Sequence, residues 1–225
     1  MNDPEANFDR IAKPYRWLEF LTFGNTLEKT RLHYLADLRH SHKALILGDG
    51  DGRFTAALLT TNPHINVLAI DASATMLQLL RHRCEAAIPN AAHRLRTEQT
   101  DARTLQLAEN YDLIVTHFFL DCLTQPELDA LVSRIAKHMQ PGALWLVSDF
   151  RIPANLAKLP AKLLIRALYL GFRLLTNLRT THLPDHATPL RQSGLTRIAV
   201  NHRLVGILTT ELWQNLESDQ KKSSF

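Results

Sequence analysis

Glycine and aspartate alternate in the segment LILGDGDGRF, residues 45–54. A dinucleotide-binding turn needs a third glycine where Arg53 stands, and a phosphate-binding loop needs a following Gly-Lys-Ser/Thr sequence. The carboxylates of Asp49 and Asp51 would also repel a phosphate. The segment instead favours a ligand that needs close backbone approach and carries positive charge. The alternative is a tight turn whose glycines only let a strand pack on a helix.

Two further carboxylates follow predicted strands. Asp71 closes the strand in VLAIDAS, nineteen residues after Gly52, where it can accept hydrogen bonds from both ribose hydroxyls, as in a nicotinamide enzyme. Asp101 follows the next strand and can accept from an adenine amino group, although a turn-capping aspartate has the same sequence signature. S-adenosylmethionine carries a sulfonium, an amino group, a ribose and an adenine, and it fits these residues together.

The elements that position these residues are short apolar runs alternating with helical patterns. Strands buried on both faces are predicted at 43–47, 65–70, 111–116 and 143–150, with a weaker strand at 94–99. Helices are predicted at 53–61, 74–87 and 126–139, the last ended by a turn at Pro141-Gly142. The segments 196–205 and 207–214 are joined only through Gly206, which predicts an antiparallel hairpin. We expect an α/β, doubly wound, Rossmann-like sheet of five parallel strands plus this hairpin, with ligands beyond the carboxyl ends of the strands.

Composition narrows the protein class. A chain of 225 residues with 45% hydrophobic content suits a single domain spanning 1–225. Its two cysteines match no metal spacing and indicate a reducing compartment. His182 and His186 lack the helical pattern of a zinc site, so no metal is expected. The chain starts without a signal-peptide pattern and has no apolar run long enough to span a membrane, which predicts a cytoplasmic protein.

The chain resembles the class I S-adenosylmethionine-dependent methyltransferases over residues 8–215. The matching pieces, in chain order, are LGDGDG, AIDASATML, TDA, YDLIVTHFFLD and PGALWLVSDF. The segments FDRIAKPYRWLEFL and LPDHATPLRQSGL resemble the branch that contains ubiquinone and menaquinone C-methyltransferases. One position departs from the family, which usually has Asp or Glu two residues before the first glycine, where this chain has Ile46. Asp49 or a main-chain carbonyl would then hold the amino group of the cofactor.

The resemblance implies S-adenosylmethionine as cofactor and a small, hydrophobic or lipid-like methyl acceptor. It implies a helical lid in residues 1–40, for which a plain hydrophobic helix packed on the domain is the alternative. His117 and Asp121 follow the fourth predicted strand and are the candidate bases, needed only when the acceptor must lose a proton. A structural histidine and a capping aspartate are the alternatives. The expected cofactor-binding residues are Gly48, Asp49, Gly50, Gly52, Asp71, Ala72, Met76, Asp101, Ala102, Thr116 and Tyr15.

Other protein classes lack their signatures here. A short-chain dehydrogenase should carry Tyr-x-x-x-Lys, and none of the four tyrosines is followed by lysine at that spacing. A nucleic-acid base methyltransferase would show Asp/Asn-Pro-Pro-aromatic after the fourth strand, where this chain has THFF, so no nucleic-acid partner is expected. A protein that binds the cofactor without turnover is the remaining alternative, and Ile46 is its best support.

Residues 151–182 concentrate the positive charge of the chain. Six of the 26 basic residues lie here with no acidic residue, which leaves 20 basic and 22 acidic residues elsewhere. On a helix, Lys158, Lys162 and Arg166 fall on one stripe beside a broad apolar face. This pattern predicts either an amphipathic helix in peripheral contact with an anionic membrane, at the inner surface of the cell membrane, or a lid helix whose basic side is solvated.

Overall fold

The computed structural model describes residues 25–153 and 183–216. They form a mixed sheet of seven strands with helices, which confirms the predicted α/β class. The strands are β1 (Lys43–Leu47), β2 (Asn66–Asp71), β3 (Leu95–Gln99), β4 (Tyr111–His117), β5 (Met139–Phe150), β6 (Leu195–Arg203) and β7 (Leu208–Asn215). The helices are α1 (Thr26–Arg31), α2 (Arg53–Thr61), α3 (Ala74–Ala87), α4 (Gln125–Ala136) and α5 (Ala187–Gln192). Tyr15, most of the expected lid and residues 154–182 of the basic segment lie outside the described residues.

The strand order is β3-β2-β1-β4-β5-β7-β6. Strands β1 to β5 pair in parallel, whereas β7 runs antiparallel to β5 and β6 antiparallel to β7. The chain winds outward from β1 in one direction and returns to β4 on its other side. Ligands of such sheets bind where the order reverses, beyond the carboxyl ends of the strands. That point lies at the neighbouring ends of β1 and β4, where Leu47 pairs with Thr116.

The sheet is covered by helices because alternate residues of its strands face opposite sides. On one face Leu45, Trp145 and Trp213 pack with apolar side chains of α4 and α5. On the other face Ile46 and Val115 pack with apolar side chains of α2 and α3. Burial on both faces accounts for the uninterrupted apolar runs of β1 and β4. None of the helices within residues 25–153 and 183–216 has the length and apolar character needed to cross a bilayer.

The boundary between α4 and β5 differs from the prediction. Helix α4 ends at Ala136, and β5 runs from Met139 through Pro141-Gly142 rather than starting after that turn. Gly142 adopts a φ of 76°, and the amides of Gln214 and Asn215 donate to main-chain carbonyls of residues 139, 140 and 142. Side chains at the end of β7 therefore stabilise the first residues of β5, although the sequence Pro141-Gly142 is typical of a turn.

Candidate active site

The loop between β1 and α2 contains three glycines with positive φ: 68° at Gly48, 60° at Gly50 and 80° at Gly52. A Cβ atom on Gly48 would lie 2.5 Å from the Phe119 ring, and one on Gly52 would lie 2.7 Å from Cα of Leu80 in α3. Packing therefore explains these two glycines. A Cβ atom on Gly50 would meet no atom of the described residues within 4 Å, so among them this glycine borders open space at the sheet edge.

Asp49 is buried in this loop and keeps one oxygen without a donor. Its side chain is 9% exposed, and Oδ2 accepts hydrogen bonds from the Thr55 amide (2.8 Å) and hydroxyl (2.7 Å). Oδ1 is buried and has no hydrogen-bond partner among the described residues. Burial raises the pKa of Asp49, while the Thr55 bonds and the charge of Arg31 oppose this rise. A ligand that brings a hydrogen-bond donor to Oδ1 would remove an unsatisfied buried acceptor.

Asp51, unlike Asp49, forms ion pairs with neighbouring arginines. Its Oδ2 accepts from Nη2 of Arg83 at 2.7 Å, and its carboxylate lies 3.3 Å from Nε of Arg53. Nε of Arg83 also donates to the Asp51 carbonyl at 2.8 Å. Arginines of α2 and α3 thus neutralise the second charge of the loop.

Asp71 and Met76 lie beside the loop at the end of β2. Oδ1 of Asp71 accepts from the Ser73 amide at 2.9 Å, which fixes the turn leading into α3. Ala72 is exposed in this turn, and Oγ of Ser73 caps the helix by accepting from the Met76 amide at 3.1 Å. Met76 is buried. The carboxyl end of β2 therefore brings Asp71 and Ala72 to the same edge as Gly50.

Asp101 follows β3 and is held by Arg103. Nε of Arg103 donates to both carboxylate oxygens, at 3.0 and 2.8 Å, and the Arg103 amide donates to Oδ1 at 2.8 Å. These bonds lower the pKa of Asp101 and show the turn-capping role that its sequence position allowed. Ala102 is buried in the core on the α4 side of the sheet.

Thr116 and His117 turn to opposite faces at the end of β4. The buried Thr116 hydroxyl accepts from Nε1 of Trp145 at 3.1 Å on the α4 side. The His117 ring packs edge-on against Phe54 on the α2 side, with centroids 4.4 Å apart. The two side chains therefore do not line one surface, because neighbouring residues of a strand alternate.

His117 is buried as a neutral imidazole. It is 2% exposed, and neither ring nitrogen has a hydrogen-bond partner among the described residues. Burial, together with the charge of Arg31, holds its pKa well below the usual value. The structure therefore places a histidine with two unused nitrogens at the point where the strand order reverses.

Sequence reasoning did not single out Arg31, whose charge acts on two residues of the candidate site. It ends α1, is buried, and its guanidinium lies 5.2 Å from the centroid of the Phe118 ring. Its charge acts on both Asp49 and His117. Phe118 adopts a φ of 51°, a conformation that is uncommon for a bulky residue. No local pattern marks Arg31, because its place depends on α1 packing against β7 and Phe118, which lie later in the chain.

Asp121 and Asp149 are buried on the α4 side of the sheet. Asp121 lies in the 3-10 helix Leu120–Cys122 after β4, and Asp149 lies near the end of β5. Burial raises the pKa of Asp121 to about 6. Burial also raises the pKa of Asp149 well above its usual range, and the negative charge of Asp121 adds to this rise. Sequence reasoning missed Asp149, although it ends an apolar strand as Asp71 does. Residues 25–153 and 183–216 contain no group of three or more His, Cys, Asp or Glu that could hold a metal ion.

Residues 45–145 match the family model described as a methyltransferase domain. The match runs from β1 through the glycine loop and β4 into β5. This part of the chain is similar to a methyltransferase domain, and S-adenosylmethionine is the cofactor that such a domain implies. A comparison with curated proteins by sequence finds no match.

Solved structures of methyltransferases share the fold. An O-methyltransferase family protein from Burkholderia thailandensis has a TM-score of 0.69 at 18% identity, covering 94% of this chain and 61% of its own. The N-methyltransferase NodS from Bradyrhizobium japonicum WM9, in complex with S-adenosyl-L-homocysteine, has a TM-score of 0.66 at 18% identity, covering 93% and 96%. An O-methyltransferase family 2 protein from Planctomyces limnophilus, in complex with apigenin, has a TM-score of 0.65 at 19% identity, covering 88% and 61%. The chain thus spans about three fifths of the two O-methyltransferases and nearly all of NodS.

Proposed function

We propose that this chain transfers a methyl group from S-adenosylmethionine to a small, hydrophobic acceptor. The observation that carries the proposal is the buried Oδ1 of Asp49, which lacks a donor beside the open space at Gly50. The amino group of the methionyl moiety supplies such a donor. Asp49 then takes the role of the acidic residue that is absent at Ile46, whose side chain is buried in the core.

Other residues at the same edge suit the remaining parts of the cofactor. The Arg31 guanidinium suits the methionyl carboxylate, because its planar donors match a carboxylate. The Asp71 carboxylate suits the ribose hydroxyls, and Met76 and Asp101 suit the adenine. In this proposal Thr116 contributes through its main chain, since its hydroxyl bonds Trp145.

The protein's part in the reaction is to orient the acceptor and exclude water. S-adenosylmethionine supplies a methyl group already activated on a sulfonium, so positioning alone can contribute on the order of 7 to 11 kcal/mol. Phe118 and Phe150, with ring centroids 5.2 Å apart, supply apolar surface beyond β4 and β5. This surface supports a hydrophobic acceptor, as does the small molecule apigenin bound to one structural neighbour.

Titration calorimetry with S-adenosylmethionine tests the proposal. We expect Asp49→Asn to weaken binding by about 1.5 to 3 kcal/mol, the range for hydrogen bonds to charged groups. Asp51→Asn is the matched control in the same loop, and its affinity should stay within twofold of the wild type because Asp51 bonds only arginines in the described contacts. Binding of NAD without binding of S-adenosylmethionine would contradict the proposal.

A binding protein without turnover is the second candidate, and Ile46 favours it because it leaves the usual acidic position apolar. Incubation of a cell extract, including its lipid fraction, with isotopically labelled S-adenosylmethionine separates the two candidates. A labelled product identifies an enzyme and its acceptor. Cofactor binding without any labelled product identifies the binding protein.

We also propose a cytoplasmic protein that contacts the inner membrane surface through its basic segment. The support is the charge pattern of residues 151–182, of which 154–182 lie outside the described residues. The resemblance to the branch with ubiquinone and menaquinone C-methyltransferases supports the further proposal of a lipid-like acceptor. It rests partly on the segment that begins at Phe8, also outside the described residues.

A further inference from the structure

A buried hydroxyl without a partner faces the acidic pair on the α4 side of the sheet. Thr209 of β7 is 1% exposed, and its Oγ1 has no hydrogen-bond partner among the described residues. In the antiparallel register Thr209 lies directly opposite Asp149 of β5. Directly opposed residues project from the same face of a sheet, so this hydroxyl lies beside the Asp149 carboxyl.

The two carboxyl groups differ in how they are held. Oδ1 of Asp149 accepts from the Phe150 amide at 2.8 Å, and Asp149 is 2% exposed. Sγ of Cys122 lies 3.6 Å from Oδ1 of Asp121. Asp121 and Asp149 act on each other's ionisation, and the Asp121 amide hydrogen-bonds Asp149. The ends of β4, β5 and β7 thus bring two acids and one hydroxyl together.

The protonation of the pair follows from its surroundings. Burial raises the pKa of both carboxyl groups. Contacts with the Cys122 thiol and His186 limit the rise at Asp121, whereas the charges of Asp121 and Glu211 add to the rise at Asp149. Glu211 is ionised, because contacts with His186, Arg197 and Trp213 lower its pKa to about 2. The pKa of Asp149 is therefore the more strongly raised of the two, and we expect Asp149 to be the member of the pair that keeps a proton. Like charges at close range favour this division.

The position of the pair separates it from the proposed cofactor contacts. Gly50, Asp71 and Asp101 follow β1, β2 and β3, on one side of the point where the strand order reverses. Asp121 follows β4 and Asp149 lies near the end of β5, on the other side of that point. The pair is therefore separate in the sheet order from the proposed cofactor contacts.

We propose that Asp121, Asp149 and Thr209 form an acceptor site for a molecule that is methylated on an oxygen or nitrogen bearing a hydrogen. This inference rests on the proposed function and names its acceptor class. As the O–H or N–H bond breaks, its proton passes to the Asp121 carboxylate, and its electron pair forms the bond to the methyl carbon. The bond between that carbon and the sulfonium breaks, and its electron pair stays on sulfur. Asp149 and Thr209 orient the acceptor by hydrogen bonds.

The experiment compares Asp121→Asn and Thr209→Val with the control Asp129→Asn, which makes the same change at an exposed site of α4. Label transfer from S-adenosylmethionine into the acceptor of the cell extract is followed from pH 5 to 9. We expect Asp121→Asn to lower the rate 10²- to 10⁴-fold, the usual contribution of a general base. We expect Thr209→Val to raise KM for the acceptor more than it lowers kcat. The wild type and Asp129→Asn should show a rate that rises with pH through about 6, and Asp121→Asn should lack this rise.

Two measurements do not depend on turnover. The affinity for S-adenosyl-L-homocysteine, measured by calorimetry, should be the same within twofold in all variants. Infrared spectroscopy of the wild type at neutral pH should show a protonated carboxylic acid that Asp149→Asn removes.

The outcomes separate this inference from the proposed function. If the wild type binds no S-adenosyl-L-homocysteine and transfers no label, the proposed function itself fails. If it transfers label to carbon, or if Asp121→Asn matches the control in rate and pH profile, the acceptor site is overturned while methyl transfer stands. If Asp121→Asn does not fold, the wild type alone decides. The inference is overturned if the wild-type rate does not rise with pH near 6 and its infrared spectrum shows no protonated carboxylic acid.

Discussion

At the residue scale, side chains of the same type in one loop have different hydrogen-bond and ion-pair partners. Asp49 and Asp51 carry the same charge two positions apart, yet one keeps a buried oxygen without a donor and the other pairs with Arg53 and Arg83. Asp49 is therefore the proposed cofactor contact, whereas Asp51 holds the loop to α2 and α3.

His117 makes the stability of the protein depend on pH. Its pKa is lowered by burial, so the unfolded chain binds a proton near pH 6.5 that the folded protein resists. The contribution of neutral His117 to the free energy of unfolding is complete above that pH. As the pH falls through it, this contribution is lost by up to about 1.4 kcal/mol per pH unit. We expect the loss of unfolding free energy between pH 7.5 and 5.5, measured by urea denaturation, to be smaller in His117→Phe than in the wild type. His64→Phe, at an exposed site, is the control, and an equal loss in all three proteins would refute the assignment.

At the element scale, the glycines of one loop serve different purposes. In Gly52→Ala the new methyl group meets the backbone of α3 at Leu80, whereas in Gly50→Ala it enters open space. Both changes strain a left-handed residue by about 1 to 2 kcal/mol. Urea denaturation should therefore show a larger loss of unfolding free energy for Gly52→Ala than for Gly50→Ala. Calorimetry should show weaker binding of S-adenosylmethionine by the folded Gly50→Ala protein. Wild-type affinity in that variant would mean that no ligand approaches the loop there.

At the scale of the whole molecule, charge is unevenly distributed, since residues 151–182 carry six basic and no acidic residues. Each basic residue near an anionic surface contributes about 1 kcal/mol, and salt screens the attraction. We expect co-sedimentation with anionic vesicles at low salt, lost when Lys158, Lys162 and Arg166 are changed to Glu. The control changes three exposed basic residues elsewhere to Glu: Lys29, Arg39 and Lys137. Equal recovery of both triple variants with the vesicles would leave the basic segment without a membrane role.

The sequence by itself determined the features that arise locally. Alternation and apolar runs follow from the burial of each strand, so β1 (Lys43–Leu47) and β4 (Tyr111–His117) were predictable to within a residue. The place of Asp71 at the carboxyl end of β2 was predictable, and this end of a parallel strand is where ligands of such sheets bind. The opposite directions of Thr116 and His117 also follow from the two-residue period of a strand.

Only the tertiary structure decided which polar groups meet and which lack partners. The charge of Arg31 acts on Asp49 and His117 because α1 packs against β7 and Phe118, and no local pattern encodes that placement. Asp149 faces Thr209 because β7 pairs with β5 in one register, and a shift by one residue would turn Thr209 to the other face. The same packing buries Oδ1 of Asp49 without a donor. Periodicity along a chain reports which face of an element is buried, but hydrogen-bond partners come from elements that only folding brings together.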